Sequence, residues 1–428
     1  TANWVDYDGD GRLDLFVANL TGGPCKLWHN NGGGTFTDVT AAAGLSLSGV
    51  ISSVWADYDN DGDMDVFLGV NAGPSHLFRN DGGVFTDVTG TAGTVGATAT
   101  WAAEWGDFDN DGWLDLFLAD NEGADFLYHN LGNGTFTDVA EAKGVASIAE
   151  GTAGNFADYD LDGDEDLYVG NFNSANQLYN NLTGSAYTLT GDAGVIARTR
   201  AAAWADYDRD GDPDLYVSTE AANVLYRNDG AAKPWLAVDV LGRSSNRSGI
   251  GARITVSANG KRQVKQISAG FGFGCQEPLR TLFGLGAGAA VVDTVIVDWP
   301  SRKRSFLTGV AINQTLFVDE AGAVDAGPPL LPDRLALAAP WPTPAREAIS
   351  FSVSVPSASA SDPVSLEIVS ASGRVVAHVH EGTLGAGVHR LRWNLRDGGG
   401  SRVGAGVYFA SLRAGRESSQ VKVVVLPE

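Results

Sequence analysis

Asp107-Phe108-Asp109-Asn110-Asp111-Gly112-Trp113-Leu114-Asp115 is the stretch on which the reading of this chain turns. Carboxylates at positions one, three and five of a tight turn point inward, and Gly112 at position six lets the backbone bend sharply. The main-chain carbonyl of Trp113 offers an oxygen at position seven, and Asp115 closes the shell at position nine. That is the oxygen set a calcium ion takes. An EF-hand would carry Glu at position twelve, where this chain has Leu118 in an apolar run. The loop therefore reads as a hairpin connection between strands.

Four more copies surround it: Asp6, Asp8, Asp10, Arg12 and Asp14; Asp57, Asp59, Asp61, Asp63 and Asp65; Asp158, Asp160, Asp162, Asp164 and Asp166; Asp206, Asp208, Asp210, Asp212 and Asp214. One such segment could be no more than a good aspartate turn. Five at fixed internal spacing are harder to explain so, because carboxylates held ~4 Å apart repel by ~1 kcal/mol per pair in water and up to ~4 at a protein surface. A cation offsets that repulsion, so the sequence predicts about five calcium ions as cofactor.

First aspartates at 6, 57, 107, 158 and 206 give a period near 50 residues, that of a propeller blade. Each period repeats the same strand signals. An aromatic stands two residues before the first Asp (Trp4, Trp55, Trp105, Phe156, Trp204), where it can pack between neighbouring blades. An apolar run follows the loop, then a Leu-aromatic-x-Asn strand ending at Asn30, Asn80, Asn130, Asn181 or Asn228, then a Gly-rich turn and Phe36-Thr37-Asp38-Val39 or its equivalents. The fourth copy is reduced to Tyr187-Thr188-Leu189. Four short strands per period predict an all-β propeller.

On these motifs, residues 1–230 resemble the FG-GAP/VCBS repeats, the calcium-binding blades also seen in integrin α-subunit heads. Residues 231–320 resemble the ASPIC/UnbV segment that commonly follows such repeats, through Asn246-Arg247-Ser248-Gly249-Ile250-Gly251, Phe283-Gly284-Leu285-Gly286 and Val295-Ile296-Val297-Asp298-Trp299-Pro300. The resemblance implies a secreted or surface-exposed protein without implying a reaction. The segment reads as about six strands: it either supplies two further blades, giving a seven-bladed ring with five calcium loops, or forms a small β domain of its own. The short lead-in before Asp6 suggests that the first blade borrows a strand from elsewhere.

A small, Pro-rich linker is expected over 321–335, followed at 336–428 by an immunoglobulin-like β-sandwich, since Ile349–Val355 and Val421–Val425 alternate as half-buried strands do. Trp341-Pro342-Thr343-Pro344, Ser372-Gly373-Arg374 and Gly404-Ala405-Gly406-Val407-Tyr408 make this module similar to the FlgD-type domain, which in some secreted proteins serves secretion or anchoring.

Charge is unevenly spread: residues 1–230 hold 37 acidic and 8 basic side chains, 231–330 hold 7 and 11, and 331–428 hold 8 and 10. Such an acidic front half argues against nucleic acid as partner, and the opposite sign of the remainder permits head-to-tail association between copies. Extracellular protein or glycan is the other partner class expected. No stretch is apolar for long enough to span a membrane, no signal peptide is visible, and the abrupt start suggests a mature or trimmed chain. Cys25 and Cys275 form either one staple or two inert thiols. Sequons at Asn19, Asn133, Asn181, Asn246 and Asn313 allow glycosylation.

Catalytic signals are sparse. His29 and His129 fill a blade position held elsewhere by Arg79, Asn180 and Arg227, and His378, His380 and His389 lack a ligand cluster around them. No nucleophile elbow or phosphate loop is present. The reading is thus a non-catalytic, extracellular, calcium-stiffened structural or adhesive protein, self-assembling into surface fibres. The alternative is a secreted propeller enzyme acting on polysaccharide, which requires a pocket with a carboxylate or His outside the loops; Glu104, Glu122, Glu150 and Glu220 are its candidates.

Overall fold

The computed structural model describes residues 1–428 except 22, 193–197, 231–232, 271–273, 323, 326–334, 338–339, 341–343, 347, 357–361, 386, 416 and 428. Two compact units emerge, Thr1–Ala326 and Gly327–Glu428. Most of the expected linker, and Trp341-Pro342-Thr343, lie outside the described residues.

Every aspartate loop joins the first two strands of an antiparallel up-and-down sheet, as the hairpin reading requires. Blade one comprises Ala2–Val5, Asp14–Val17, Lys26–Gly32 and Thr35–Asp38; blade two Val50–Ala56, Asp65–Val70, His76–Asn80 and Phe85–Asp87. Blade three comprises Thr100–Gly106, Asp115–Asp120, Phe126–Asn130 and Phe136–Asp138; blade four Gly151–Ala157, Asp166–Asn171, Gln177–Asn181 and Tyr187–Asp192. Blade five has three strands, Thr199–Ala205, Asp214–Thr219 and Val224–Tyr226. A one-turn helix follows the last strand of blades one to three (Thr40–Ala43, Thr89–Ala92, Ala140–Lys143), an element too short to leave a sequence signal.

Blades two to four are buried on both faces, which is why their second strands are apolar without alternation. In blade two, Val66 and Leu68 enter a core shared with Val5, Phe16 and Leu27 of blade one, while Phe67 turns to Ala103 and Leu116 of blade three. The aromatic before loops two, four and five wedges against the second strand of the preceding blade: Phe16–Trp55 ring centroids lie 5.4 Å apart, and Phe117–Phe156 and Tyr168–Trp204 6.3 Å. Trp4 and Tyr216, the outermost members of this series, are each 44 % exposed.

The segment after blade five follows the second of its two alternatives. Trp235–Leu241, Thr281–Gly284 and Gln314–Asp319 form one sheet; Lys261–Gln266, Arg253–Ala258, Val292–Asp298, Lys303–Val310 and Val324–Asp325 form another. Trp235–Leu241 runs parallel to Gln314–Asp319, a pairing that an up-and-down blade does not contain. Val238, Phe283 and Val318 of the first sheet share one core with Ile254, Val256 and Val295 of the second. The segment is thus a β unit of its own, set against the loop-bearing ends of the blades, and does not become a sixth and seventh blade.

Gly327–Glu428 forms a sandwich, with Ala336–Leu337, Ile349–Val355 and Gly387–Trp393 in one sheet and Pro363–Ser370, Val375–Thr383, Gly406–Ala414 and Glu417–Val425 in the other. Phe351, Leu366, Trp393 and Leu412 are among the side chains of its core. Cys25 and Cys275 are not bridged: both are thiols, and Cys25 Sγ donates to Leu45 O at 2.9 Å. Asn181 and Asn246 are buried, which removes two of the five sequons from any folded-state glycosylation.

Candidate metal centres

The loops are built on a common scaffold of backbone amides. In all five, the position-six glycine N–H donates to Oδ2 of the first aspartate at 2.8–3.2 Å. These glycines have φ between 85° and 100°, and a Cβ on Gly11, Gly112 or Gly211 would meet Ser244 O, Arg262 or Trp235 of the β unit within 2.7 Å. The position-five carboxylate accepts the N–H two residues on, at 2.8–3.1 Å.

The ninth-position aspartate is structurally committed. One oxygen accepts the position-two N–H at 3.0–3.3 Å. The other accepts the N–H of the blade's Leu-aromatic-x-Asn asparagine at 2.7–2.8 Å. That asparagine then does what its sequence position did not reveal. Asn130 Nδ2 donates to Leu114 O of its own loop at 3.0 Å and to Tyr58 O of the preceding loop at 2.9 Å. Asn80, Asn181 and Asn228 reach back to Tyr7 O, Phe108 O and Tyr159 O at 2.7 Å. Loops two to five are thereby each fastened to the blade before.

The first aspartate is the opposite case. Oδ1 of Asp6, Asp57, Asp107 and Asp206 is buried without a hydrogen-bond partner. Ligand oxygens of Asp6, Asp8 and Asp10, of Asp57, Asp59 and Asp61, and of Asp107, Asp109 and Asp115 lie within 4.8 Å of one another. An orphaned carboxylate oxygen beside converging carboxylates is a donor set suited to a hard divalent cation, so these residues fit calcium. His29 and His129 add a ring nitrogen at loops one and three, 3.1 Å from Asp8 and from Asp115 respectively.

Burial first, and neighbouring carboxylates after it, push the loop aspartates upward: Asp6 to about 6, Asp14 to about 7, Asp57 and Asp158 to about 7 against an ordinary 3.8. Without an ion the folded chain therefore holds protons that the unfolded chain releases. That stabilisation is complete below the unfolded value and is lost as pH rises through the folded one. Calcium-stripped protein should lose melting temperature between about pH 4 and about pH 7, whereas calcium-loaded protein should not. Calorimetry across that range decides; a flat profile for the stripped protein contradicts the assignment.

Basic side chains of the β unit reach the loops. Lys261 Nζ donates to Asp162 O and Asp164 Oδ2 at 2.7 and 2.8 Å. Arg302 meets Asp63 Oδ1 at 2.6 Å and also the Asp61 carbonyl, Arg253 meets Gly112 O, and Lys233 lies 3.0 Å from Asp160. The surplus positive charge of 231–330 is thus spent largely on the acidic loops of the same chain.

Four overlapping stretches, 6–68, 57–118, 107–169 and 158–217, match the model of the FG-GAP-like repeat, and 242–325 matches that of ASPIC and UnbV. The chain is an FG-GAP-like repeat protein with an ASPIC and UnbV domain. The repeat matches between them contain all five loops, and the ASPIC and UnbV match falls on the β unit that covers them. No curated protein matches this FG-GAP-like chain in sequence. Among solved structures it is similar to PorZ, a surface component of the type-IX secretion system of Porphyromonas gingivalis, at 15 % identity over 97 % of this chain and 58 % of that one, TM-score 0.34. It is also similar to Saccharomyces cerevisiae Sqt1 (11 % identity, 80 % and 78 % covered, TM-score 0.34) and to BBS1N in complex with ARL6DN (11 %, 72 % and 91 %, TM-score 0.35). The chain spans little more than half the length of PorZ.

Of the carboxylates named for the enzyme alternative, Glu122 is exposed and Glu220 is paired with Arg198 at 3.0 Å. Only Glu104 lines a cavity, and there it meets two glutamates that sequence reasoning missed, Glu165 and Glu277. Among the described residues no helix is long and apolar enough to cross a membrane, which says nothing of strands.

Proposed function

We propose that the protein is a non-catalytic extracellular structural or adhesive protein whose blades are held rigid by about five calcium ions. The observation that carries this reading is the recurrence of a buried, unpartnered first-position carboxylate oxygen among converging aspartates. Four of the five loops are of this kind, the exception being the fourth, where Asp158 Oδ1 accepts Asp162 N–H at 2.9 Å. They support a mechanical role, since each bound ion would tie two strands of its own blade and, in blades two to five, through the asparagine, the loop of the blade before. Calcium titration with elemental analysis tests it: the wild type should take up about five equivalents and Asp107→Ala one fewer, with the other loops still occupied. A native protein that is well folded and free of metal would end the proposal.

Association head to tail belongs to the same reading. The charge argument for it weakens once the basic residues are seen turned to the loops, and the support passes to Trp4 and Tyr216. Each occupies the place where, elsewhere in the series, an aromatic packs on the neighbouring blade, and each is half exposed. A second copy that continued the series would bring them together. Sedimentation in calcium tests this, since Trp4→Ala should return assemblies to monomers; wild-type protein that stays monomeric at high concentration rules it out.

A second reading, an enzyme acting on extracellular polysaccharide, draws on the cavity that holds Glu104. It requires release of new chain ends from a polysaccharide and loss of that release in Glu104→Gln.

A further inference from the structure

Two of the five repeats break their own pattern at one place. The residue before the wedge aromatic is Asn3, Val54, Asn155 or Ala203 in four blades and Glu104 in blade three. The eighth loop position is Leu13, Met64, Leu114 or Pro213 in four blades and Glu165 in blade four. Both glutamates line a single cavity of about 470 Å³, enclosed by the first strands of blades three to five and by residues 264–268 and 277–282 of the β unit, which adds Glu277.

The three carboxylates are held in place from outside the cavity. Phe156 N–H donates to Glu104 Oε2 at 3.1 Å, Trp204 N–H to Glu277 Oε1 at 3.3 Å, and Lys265 Nζ lies 3.0 Å from Glu165 Oε1. Glu165 Oε2 and the indole N–H of Trp204, both on buried residues, have no hydrogen-bond partner. Lys265, 3.0 Å from Glu165, also faces Glu104 and Glu277, and Arg280 answers Asp239 at 2.7–2.9 Å, so the three glutamates share one lysine. Burial and their mutual repulsion push Glu104 and Glu277 upward, Glu277 to about 7. Trp105, Phe156 and Trp204 give the wall an aromatic part, beside Asp158 and Asp206, the first aspartates of loops four and five, and Arg209.

We propose that this cavity binds an organic cation, a primary ammonium or guanidinium group on a short apolar stem. The charged head answers the negative surplus that one lysine leaves on Glu104, Glu165 and Glu277 and offers a donor to Glu165 Oε2, while the stem lies along the aromatic part of the wall. A neutral sugar brings no charge to set against the acidic surplus of the site, whereas a cation does. A metal ion would need carboxylate oxygens that converge, whereas Glu104 Oε2 and Glu277 Oε1 are turned to the backbone N–H groups of two different blades.

Titration calorimetry on the full chain in saturating calcium tests the assignment with cadaverine and agmatine as probes, and with maltohexaose and manganese as separate arms. Both amines should bind one per chain, and Glu104→Gln and Glu277→Gln should each weaken them about 10- to 100-fold, the loss expected for a charge-assisted hydrogen bond. Glutamine keeps the acceptor that Phe156 or Trp204 uses, so the fold should survive; were Glu104→Gln to unfold, Glu277→Gln and Glu165→Leu carry the comparison. Absence of heat with either amine, amine binding indifferent to Glu277→Gln, or saturation by maltohexaose or manganese in place of the amines overturns the proposal. None of these outcomes depends on whether the copies assemble.

Discussion

Removing calcium is expected to collapse the blades. An ion that binds only the folded loop stabilises it by ~2.7 kcal/mol when free calcium is ~100 times the dissociation constant. Extracellular modules often bind in the ~10⁻⁴ to 10⁻³ M range. Five independent loops would sum to about 13 kcal/mol, comparable with the whole stability of an ordinary domain, ~5 to 15 kcal/mol. The stripped chain also keeps its clustered carboxylates, whose repulsion then has nothing to offset it. In excess chelator at neutral pH the Thr1–Ala326 unit should therefore melt tens of degrees lower, or be unfolded at room temperature, and be cut by protease within the blades. The measurements are differential scanning calorimetry and limited proteolysis with and without chelator. Unchanged melting would show that the amide scaffold alone holds the loops, and the calcium reading would fail.

The second large effect is that of Asn130→Ala. Asn130 is fully buried; its Nδ2 serves carbonyls in two blades, and its Oδ1 accepts Gly132 N–H at 2.9 Å. Truncation leaves two carbonyls and one N–H buried without partners, at about 1–3 kcal/mol each. A loss of about 3–6 kcal/mol follows after partial relaxation, roughly 6–24 °C of melting temperature at 2–4 °C per kcal/mol. Asn133→Ala, at a site whose side chain only bonds within its own exposed turn, is the control and should cost under about 0.5 kcal/mol. Equal melting of the two variants in calcium would show that the blades are held by their apolar faces alone.

Much of the architecture could be read in advance because the chain states it five times. Loop chemistry, strand order and the wedge aromatic are local patterns, and repetition separates them from chance. What escaped reading was long-range. The asparagines were visible as a recurring letter, but their carbonyl partners lie 69 to 73 residues away, and no local spacing announces them. The parallel pairing of Trp235–Leu241 with Gln314–Asp319 is hidden for the same reason, and with it the separateness of the covering unit. Glu165 did leave a signal, a charged residue in a column of apolar ones. It is lost when the loops are scanned only for their aspartates. Glu277 lies outside the repeats and left none.

The asparagine contacts all point one way, from a blade to its predecessor and never to its successor. A blade newly made on the ribosome thus has a bare carbonyl until the next fifty residues emerge to satisfy it, so assembly has a direction that matches the direction of synthesis. Ordered emergence of this kind limits wrong pairings among five nearly interchangeable sheets, since each new blade meets an unsatisfied carbonyl on the blade made just before it.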